Sequence, residues 1–504
     1  MNRRKRSLFV RTLLFLFALN SICIFYYFRL HPRPQHPLAE EQNLTQTQNQ
    51  NPTPPSLSSL KPWPFLPSHL PWNISSFPPL GSCEAYFGNG FSRSVSPLRG
   101  RNGFFRCHYS ETLESSICEG GTIRMDPGSI AMSRGGEDLE KVMGRSEEDE
   151  LPRYESGAFQ IEEGEGWERR EDRRLVDQGF LDQYLKHGAV HMHTMRSLVE
   201  SIRVVPTGEL QCDQVVDEPT LLVTRFEYAN MFHTVTDWYS AYVSSRVTGL
   251  AGRPHLVFVD GHCKQAQLEE TWKSLFTSVR YAKDFVGTVC FRHAILSPLG
   301  YETALFKGLT ESFSCQGSAA NILRQKPDYQ KTARLSEFGE MLLSSFDLLP
   351  IPKREPGMLN ILFVRREDYL AHPRHSGKVE SRLSNELEVF DSVQTWAKMK
   401  NNIKCKLNVV NGLFAHMHMK EQLQAIRDAS IVIGAHGAGL THLVSAQTDT
   451  IVLEIIASMY RRPHFQLISG WKGLEYHAIN LPGSYARPTE VTDELNKIVT
   501  SLGC

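Results

Sequence analysis

The sequence lacks an excess of charge of either sign, since 55 Lys and Arg residues are balanced by 55 Asp and Glu residues over 504 positions. A nucleic-acid-binding protein would carry a basic face, so the balance argues against that class. No two cysteines have the Cys-x-x-Cys spacing of a zinc cluster. Apolar residues supply 41% of the chain, which is enough for hydrophobic cores. Because one core rarely extends beyond about 250–300 residues, we expect a tail and two packed domains.

The N-terminal residues have the pattern of an uncleaved membrane anchor. Basic residues 3–6 precede an apolar stretch, 8–28, that is long enough to cross a bilayer, and Tyr26 and Tyr27 stand near its far end. We therefore predict a cytoplasmic tail at residues 1–6, a transmembrane signal-anchor at 7–28 and a lumenal remainder. The alternative is a cleaved signal peptide, but no small-residue cleavage site follows the apolar stretch.

The segment after the anchor, residues 29–80, is rich in Pro, Gln, Asn and Ser. Such a composition cannot bury a core, so we predict an extended lumenal stem. Trp63 and Trp72 near its end are expected to dock on the folded part. Asn43 and Asn73 begin Asn-x-Ser/Thr glycosylation sequons. Nine cysteines lie beyond the predicted anchor; in an oxidising lumen most are expected to pair, and the odd number leaves at least one over.

The rest of the chain is predicted to form two α/β domains. Acidic residues 147–150 and the Glu- and Arg-rich run 155–174 predict a solvated insertion. From Pro219 onward strands alternate with helices, which predicts parallel sheets with helices on both faces. Prolines 350, 352 and 356 mark a junction between an N-terminal domain, 81–355, and a C-terminal domain, 356–504. The predicted strands are 220–225, 255–259, 289–296, 360–364, 430–433 and 450–456, and the predicted helices are 232–246, 267–276, 419–429 and one that starts at 441–446.

Residues 430–442 have the pattern of an anion-binding turn, because a short apolar strand leads through three glycines into a helix. Glycines let a ligand approach the backbone, and a helix N-terminus offers free N–H groups and the positive end of its dipole, so the turn suits a diphosphate. An ordinary tight turn is the alternative. The turn lacks the GxGxxG and Gly-Lys-Ser/Thr patterns of nicotinamide and ATP sites. Its candidate donor-binding residues are Gly434, His436, Gly437, Ala438 and Gly439.

Cationic side chains follow the strand predicted at 360–364. Arg365 and Arg366 would stand at the carboxyl edge of the sheet, where guanidinium groups bind phosphate through paired hydrogen bonds. The next stretch adds Arg374, His375, Lys378 and Arg382. A surface cluster of ion pairs is the alternative for these outer residues.

Three acidic residues are candidates for other roles. Glu454 lies in the apolar strand 450–456, where ribose hydroxyls or an internal arginine would supply the partner that a buried carboxylate needs. Asp237 lies four residues after His233 on the predicted helix 232–246, and either one is a candidate general base for a sugar hydroxyl. A helix cap with a satisfied core histidine is the alternative. Asp260 lacks the second acid of an Asp-x-Asp metal motif, so we predict no metal site.

Residues 61–504 closely resemble the plant N-glycan β1,2-xylosyltransferases, chiefly in residues 81–90, 224–249, 291–309, 363–378 and 433–442. The resemblance implies the two-Rossmann architecture called GT-B, inversion at the anomeric carbon and no required metal or other cofactor. It implies UDP-xylose as the donor and the core β-mannose of N-glycans on glycoproteins as the acceptor. With the predicted anchor, it also implies a single-pass type II protein of the Golgi membrane.

On this interpretation the C-terminal domain binds the donor and the N-terminal domain binds the acceptor, with Asp237 as the base and His233 as the next choice. Arg365, His436 and the amides of residues 437–439 would stabilise the charge that develops on the diphosphate. Two other classes stay open. One is a different transferase of the same wider family, which moves N-acetylglucosamine to protein or xylose to xylan. The other is a non-catalytic, lectin-like protein of the same fold.

Overall fold

The computed structural model describes residues 60–66, 91, 93–100, 103–110, 113–142, 144–187, 195–264, 266–307, 335–366, 369–370, 378–379, 382–400 and 404–504. The predicted anchor at 7–28, the sequons at Asn43 and Asn73, and Trp72 lie outside these residues. Within them, no helix is both long and apolar enough to cross a membrane.

The elements are numbered in chain order. The strands are β1 (Lys61–Pro62), β2 (Arg93–Leu98), β3 (Phe104–Ser110), β4 (Ser115–Met125), β5 (Ile130–Ala131), β6 (Arg153–Tyr154), β7 (Phe159–Glu162), β8 (Arg203–Val205), β9 (Gln214–Val216), β10 (Thr220–Val223), β11 (Gly252–Arg253), β12 (His255–Phe258), β13 (Ser278–Tyr281), β14 (Val289–Leu296), β15 (Met358–Val364), β16 (Tyr369–Leu370), β17 (Lys378–Val379), β18 (Lys406–Gly412), β19 (Ile431–Ala435), β20 (Ile451–Ile456) and β21 (Glu475–Asn480). The α-helices are α1 (Glu147–Glu150), α2 (Gln178–Tyr184), α3 (Met195–Ser201), α4 (Met231–Val247), α5 (Ala266–Leu275), α6 (Ala304–Lys307), α7 (Leu335–Ser345), α8 (Glu386–Lys400), α9 (Met419–Asp428), α10 (His464–Lys472) and α11 (Pro488–Ser501).

The smaller of the two main sheets has five parallel strands in the order β18-β15-β19-β20-β21. All six residues of β20 are buried, as expected of a strand covered on both faces. Apolar residues of α8 and α11 cover one face, and those of α9 and α10 cover the other. Because the strands are parallel, the loops that follow β15, β19 and β20 meet at one edge of the sheet, where α/β proteins bind ligands.

The larger sheet has ten strands, with the main order β13-β12-β10-β14-β4-β3-β2. Strands β10, β12, β13 and β14 are parallel, which confirms the alternation of strands and helices predicted from Pro219 onward. Strands β4, β3 and β2 continue the sheet in antiparallel fashion, and the sequence pattern did not predict them. Helix α4 packs on this sheet through a face that includes the fully buried Val235 and Trp238.

Part of the charged stretch between residues 147 and 174 belongs to the fold: its prediction as a solvated insertion is wrong for Glu150 and β7 but holds for residues 163–174, none of which is buried. Phe159 and Ile161 of β7 are fully buried and pair this stretch with the larger sheet. Glu150 is also fully buried, with its carboxylate 3.0 Å from Nδ1 of His262. Charge density suggested solvent exposure because the partner of Glu150 lies 112 residues away and is invisible in the local sequence.

The end of the predicted stem docks as expected for Trp63. Strand β1 pairs with β11, and Nε1 of Trp63 donates a 2.9 Å hydrogen bond to the carbonyl of Leu250. The guanidinium of Arg246 lies 4.8 Å from the centre of the Trp63 ring. These contacts fix the point at which the stem meets the folded part.

Disulfide bonds join most of the cysteines beyond the predicted anchor, as expected. The pairs are Cys107–Cys118, Cys212–Cys290 and Cys405–Cys504. Cys263 is buried and carries a free thiol. The pairing is the pattern of an oxidising compartment.

Helix α7 connects the two sheets. Its apolar residues belong to one continuous core that also includes residues of α4, of α9 and of the 3₁₀ helix Ala438–Ser445. A side chain at Gly339 of α7 would collide with the carbonyl of Val444. Glycine therefore allows α7 to pack directly against the 3₁₀ helix that follows β19.

Candidate active site

The glycine turn after β19 lies at the carboxyl edge of the five-stranded sheet, as predicted. It leads into the 3₁₀ helix Ala438–Ser445, which is tighter than the α-helix expected. A Cβ atom at Gly437 would lie 2.9 Å from Nη1 of Arg366, and one at Gly439 would lie 2.9 Å from Cγ1 of Val364. A side chain at Gly439 would therefore meet the branched Val364, against which Gly434 also lies, whereas one at Gly437 would meet only the flexible end of Arg366. The first amides of the 3₁₀ helix follow the carboxyl end of β19, a position at which backbone amides can bind an anion.

His436 in this turn is held by a buried carboxylate. Nδ1 of His436 lies 2.5 Å from Oε1 of Glu454, and the hydroxyl of Tyr476 donates a 2.5 Å hydrogen bond to Oε2. Burial and then the neighbouring carboxylate raise the pKa of Tyr476, so its hydroxyl stays a donor. Since Glu454 occupies Nδ1, Nε2 is the ring nitrogen of His436 that is left for a ligand.

The prediction that Glu454 binds ribose hydroxyls does not fit this geometry. The side chain of Glu454 is 0% exposed, and both of its oxygens have protein partners. Its position in an entirely buried strand explains why it cannot reach a ligand. A buried carboxylate requires a partner, and for Glu454 this partner is His436 rather than the arginine considered in the sequence analysis.

The two arginines after β15 point in different directions. Nε of Arg365 lies 3.6 Å from the carboxylate of Glu386, and its guanidinium lies over the ring of Phe390. The guanidinium of Arg366 instead lies beside Gly437. The structure therefore places Arg366 at the turn and directs Arg365 toward helix α8. The sequence analysis had instead expected Arg365 to be the arginine that stabilises the diphosphate.

Arg382 is a third arginine at the turn; its sequence position did not distinguish it from the other outer cations. Its Nη1 donates a 3.2 Å hydrogen bond to the carbonyl of His436, and its guanidinium lies 4.1 Å from the centre of the Tyr460 ring. Lys378 lies in the short strand β17, and its side chain lies outside the described part of the chain.

Two groups here have a lowered pKa, first because they are buried and then because other cationic groups lie close by. Burial, followed by repulsion from Arg366 and Arg462, lowers the pKa of Arg382 to about 10. Burial, followed by repulsion from His436, Arg462 and Arg382, lowers the pKa of His464 to about 4. Close cations repel one another, and an anionic ligand would relieve that repulsion. The edge of the smaller sheet is therefore suited to a phosphate-bearing ligand.

The carboxyl edge of the larger sheet holds the two residues predicted as general bases. Both lie on α4, four residues apart, as expected. The side chain of His233 is 16% exposed, stacks on Tyr301 at 4.9 Å and has Nε2 3.1 Å from the carboxylate of Glu227. Asp237 is 3% exposed and accepts a 2.9 Å hydrogen bond from the amide of Gly300. Burial raises the pKa of Asp237 to about 8, although hydrogen bonds and Arg225 oppose the shift.

The prediction that Asp237 is the general base does not fit its location. Asp237 is 3% exposed and its carboxyl group accepts the hydrogen bond from Gly300, so it is less accessible to an acceptor hydroxyl than His233, whose side chain is 16% exposed. His233, one turn earlier, lies nearer the helix N-terminus and keeps some exposure.

Asp260, which follows β12, is part of a buried ion pair. Its carboxylate binds the guanidinium of Arg225 through two hydrogen bonds, of 2.7 and 3.1 Å. Burial alone would raise the pKa of Asp260, but Arg225 and His262 hold it below its usual value. Over the described ranges, no three His, Cys, Asp or Glu side chains are grouped so that they could hold a metal ion.

Aromatic contacts link the two sheet edges. Phe232 of α4 stacks on His464 of α10, with ring centres 5.4 Å apart and planes inclined by 8°. His464 lies 6.1 Å from His436, and Phe232 lies 5.2 Å from His233. These ring contacts connect the first turn of α4, which carries His233, with the glycine turn. The sequence analysis did not single out His464 or Glu227. The local signals that could have found them are Arg461 and Arg462, just before Pro463 and His464, and the position of Glu227 soon after β10.

Comparison with known proteins places the chain in a family. The family model described as Glycosyltransferase 61 matches residues 190–453. The chain is 69% identical to the protein named Beta-1,2-xylosyltransferase RCN11 of Oryza sativa subsp. japonica over 456 residues, which is 89% of this chain and 84% of the rice protein. It is 53% identical to the Beta-1,2-xylosyltransferase of Arabidopsis thaliana over 534 aligned positions, which is 98% of each chain.

A more distant relative is the EGF domain-specific O-linked N-acetylglucosamine transferase of Gallus gallus. It is 23% identical over 289 residues, which is 55% of this chain and 47% of the chicken protein. The two plant proteins and the family model agree with a mixed α/β glycosyltransferase fold and disfavour a non-catalytic lectin-like protein. The chain belongs to the glycosyltransferase 61 family and is a glycosyltransferase.

Proposed function

We propose that this enzyme transfers xylose from UDP-xylose, in β1,2 linkage, to the core β-mannose of N-glycans on glycoproteins. The high identity to two plant β1,2-xylosyltransferases supports the xylose and the linkage. The cationic turn supports a nucleotide-sugar donor, and it is the structural observation that carries the proposal. There, the guanidinium of Arg366 lies beside Gly437 and that of Arg382 bonds the carbonyl of His436, and burial followed by neighbouring positive charge lowers the pKa of Arg382 and of His464.

The architecture proposed is GT-B, with two Rossmann-like domains facing a cleft. The five-stranded sheet has the parallel order and the edge loops of a nucleotide-binding domain, which supports a donor site in residues 356–504. The parallel part of the larger sheet supports an acceptor site within residues 81–355. The stacked pair Phe232 and His464 lies where these two sites would meet.

The reaction proposed is a single displacement with inversion at C1 of xylose. A base removes the proton of the mannose 2-hydroxyl, the oxygen forms a bond to C1, and the bond from C1 to the β-phosphate oxygen breaks with its electron pair leaving on UDP. Negative charge grows on the diphosphate during this step. Cations and amides placed in advance stabilise that charge most in the transition state, so no metal is required on this proposal.

Within the donor site, His436 is assigned to a phosphate oxygen through Nε2. Glu454 and Tyr476 fix the orientation of the ring through Nδ1, as the outer partners of a ligand histidine do in other sites. Glu454 therefore acts through His436 and is a positioning residue. Arg365 is assigned to the packing of α8 against the turn, through Glu386.

The proposal includes a Golgi location with type II topology, supported by the basic and apolar N-terminal pattern and by the disulfides. Protease added to sealed Golgi vesicles should cut only the short cytoplasmic tail. Digestion of the folded part without detergent would contradict this topology.

The proposed activity is tested with a panel of UDP-sugars. The purified enzyme is offered UDP-xylose, UDP-N-acetylglucosamine, UDP-glucose and UDP-galactose, each with an N-glycopeptide, and the product is weighed. We expect a mass increase of one pentose with UDP-xylose alone, and linkage analysis should find it on O2 of the mannose. Transfer of N-acetylglucosamine, or of xylose to a xylan oligosaccharide only, would replace the proposal with one of the other transferases of the family.

A further inference from the structure

We propose that Glu227 is the general base, which goes beyond the two candidates taken from the sequence. The inference rests on the proposed sugar transfer, because it assigns the group that activates the acceptor hydroxyl. Glu227 follows β10 at the carboxyl edge of the larger sheet, and its side chain is 23% exposed. It is therefore a carboxylate that an acceptor can reach.

Three side chains surround this carboxylate. Nε2 of His233 lies 3.1 Å from Oε2, the amide of Asn230 donates to the same oxygen at 3.5 Å, and the hydroxyl of Tyr301 donates to Oε1 at 3.4 Å. Groups that donate to a carboxylate favour its ionised form, and a base must be ionised to accept a proton. The arrangement also fixes the direction of the carboxylate.

His233 is better suited to positioning than to accepting the proton. Its Nε2 faces Glu227, and its ring is enclosed between Phe232 and Tyr301. A base oriented by a neighbouring polar group is a common arrangement, and here the histidine would orient the carboxylate. Asn230 also caps helix α4, because its side-chain oxygen accepts a hydrogen bond from the amide of Phe232.

The other acids of this sheet edge are enclosed. Asp260 is 0% exposed and is paired with Arg225, and Asp237 and Glu302 are 3% and 6% exposed. Glu227 thus has the exposure that these groups lack. From His233, its partner, three ring contacts of 5.2 to 6.1 Å lead through Phe232 and His464 to His436 of the glycine turn.

In the step proposed, a carboxylate oxygen of Glu227 takes the proton of the acceptor hydroxyl while the acceptor oxygen forms its bond to C1 of the donor sugar. The bond from C1 to the β-phosphate breaks, and the electron pair leaves with UDP. Glu227 returns the proton to water after the product leaves. No oxidant, reductant or metal enters the balance.

The test compares Glu227→Gln with the wild-type enzyme. Gln keeps the size and hydrogen bonding of the side chain but cannot accept the proton. We expect the affinity for UDP-xylose to stay within about threefold and turnover to fall by about 10²–10⁴-fold, the usual contribution of a general base. Glu270→Gln, an exposed acid on α5, is the matched control and should keep wild-type turnover.

A second variant keeps the idea testable if Glu227→Gln folds poorly. Glu227→Ala leaves a space at the same place, and added formate, a small carboxylate, should restore part of its turnover in a concentration-dependent way. Binding of UDP-xylose by either variant shows that the donor side is folded. Turnover of folded Glu227→Gln within about tenfold of the wild type would overturn the assignment, and so would failure of formate to raise the turnover of folded Glu227→Ala.

The wild-type sugar panel separates this test from that of the proposed function. If the wild type transfers xylose and Glu227→Gln does so at a similar rate, only the base assignment fails. If the wild type transfers another sugar instead, the proposed function fails, and the same variants are measured with that sugar, since any inverting transfer to a hydroxyl needs a base.

Discussion

Replacing Asp237 by Asn should stabilise the enzyme, and the gain should depend on pH. Burial raises the pKa of Asp237 to about 8 in the folded protein, whereas an unfolded Asp titrates near about 3.9. Between these values the folded state holds a proton that the unfolded state releases. The contribution of Asp237 to stability is therefore fully present below about pH 4 and is lost as the pH rises toward about 8.

The size of the effect follows from the difference between the two pKa values. Each pH unit in this window removes about 1.4 kcal/mol, so at pH 7 the wild type has lost about 4 kcal/mol relative to pH 4. Asn does not titrate, and its side-chain oxygen can still accept the hydrogen bond from the amide of Gly300. We therefore expect Asp237→Asn and wild type to be similar near pH 4 and to diverge by about 4 kcal/mol at pH 7.

Urea unfolding of both proteins from pH 4 to pH 8.5 measures this difference. Asp493→Asn, at an exposed position on α11, controls for the loss of one charge. A difference between Asp237→Asn and wild type that does not change with pH would refute the argument from burial. Turnover of the same samples also tests which residue is the general base. A loss of turnover of about 10²–10⁴-fold in a stable Asp237→Asn protein would restore Asp237 as the general base.

The remaining predictions concern the donor site, a disulfide and metal dependence. Arg382→Ala and Arg366→Ala should each weaken UDP binding in calorimetry about ten- to a hundredfold, the value of a charge-assisted hydrogen bond, with the exposed Lys497→Ala as control. Arg365→Ala should mainly lower the free energy of unfolding; a larger loss of UDP binding there than at Arg382 would contradict the geometry. Cys504→Ser removes the disulfide to Cys405, 99 residues away, and should lower the free energy of unfolding in urea by about 2–5 kcal/mol. The control is Cys263→Ser, which removes the free thiol, and a loss of stability in Cys504→Ser no larger than in this control would argue against the pairing. EDTA should leave most xylosyl transfer intact if arginines and amides alone neutralise the diphosphate, and complete loss restored only by a divalent metal would contradict this.

Much of the fold could be predicted because strand and helix periodicity is a local property. Strand β14 begins and ends at the predicted residues 289 and 296, and helix α4 extends the predicted 232–246 by one residue at each end. The antiparallel strands before residue 219 were missed. Glycines 120 and 121 break the apolar sequence pattern of β4 although the strand continues through them, and the charges around β7 mask a strand of only four residues.

The candidate site was predicted in its location but not in its details. The glycine turn lies at the sheet edge as predicted, because it directly follows a strand of a parallel sheet and that much is readable from the sequence. The direction of a side chain depends on tertiary neighbours, however. Arg365 turns toward Glu386, and Glu454 meets Tyr476 from β21, contacts that no local pattern encodes. Burial likewise distinguishes Asp237, which lies within α4, from Glu227, which precedes that helix.

The most direct test of the central claim is a crystal structure of the enzyme with UDP bound. The claim is that the donor lies at the carboxyl edge of the five-stranded sheet. We expect the diphosphate within hydrogen-bonding distance of the amides of residues 437–439 and of the guanidinium of Arg366 or Arg382, with Nε2 of His436 facing a phosphate oxygen. UDP bound at the edge of the larger sheet, beside Glu227 and His233, would contradict the account.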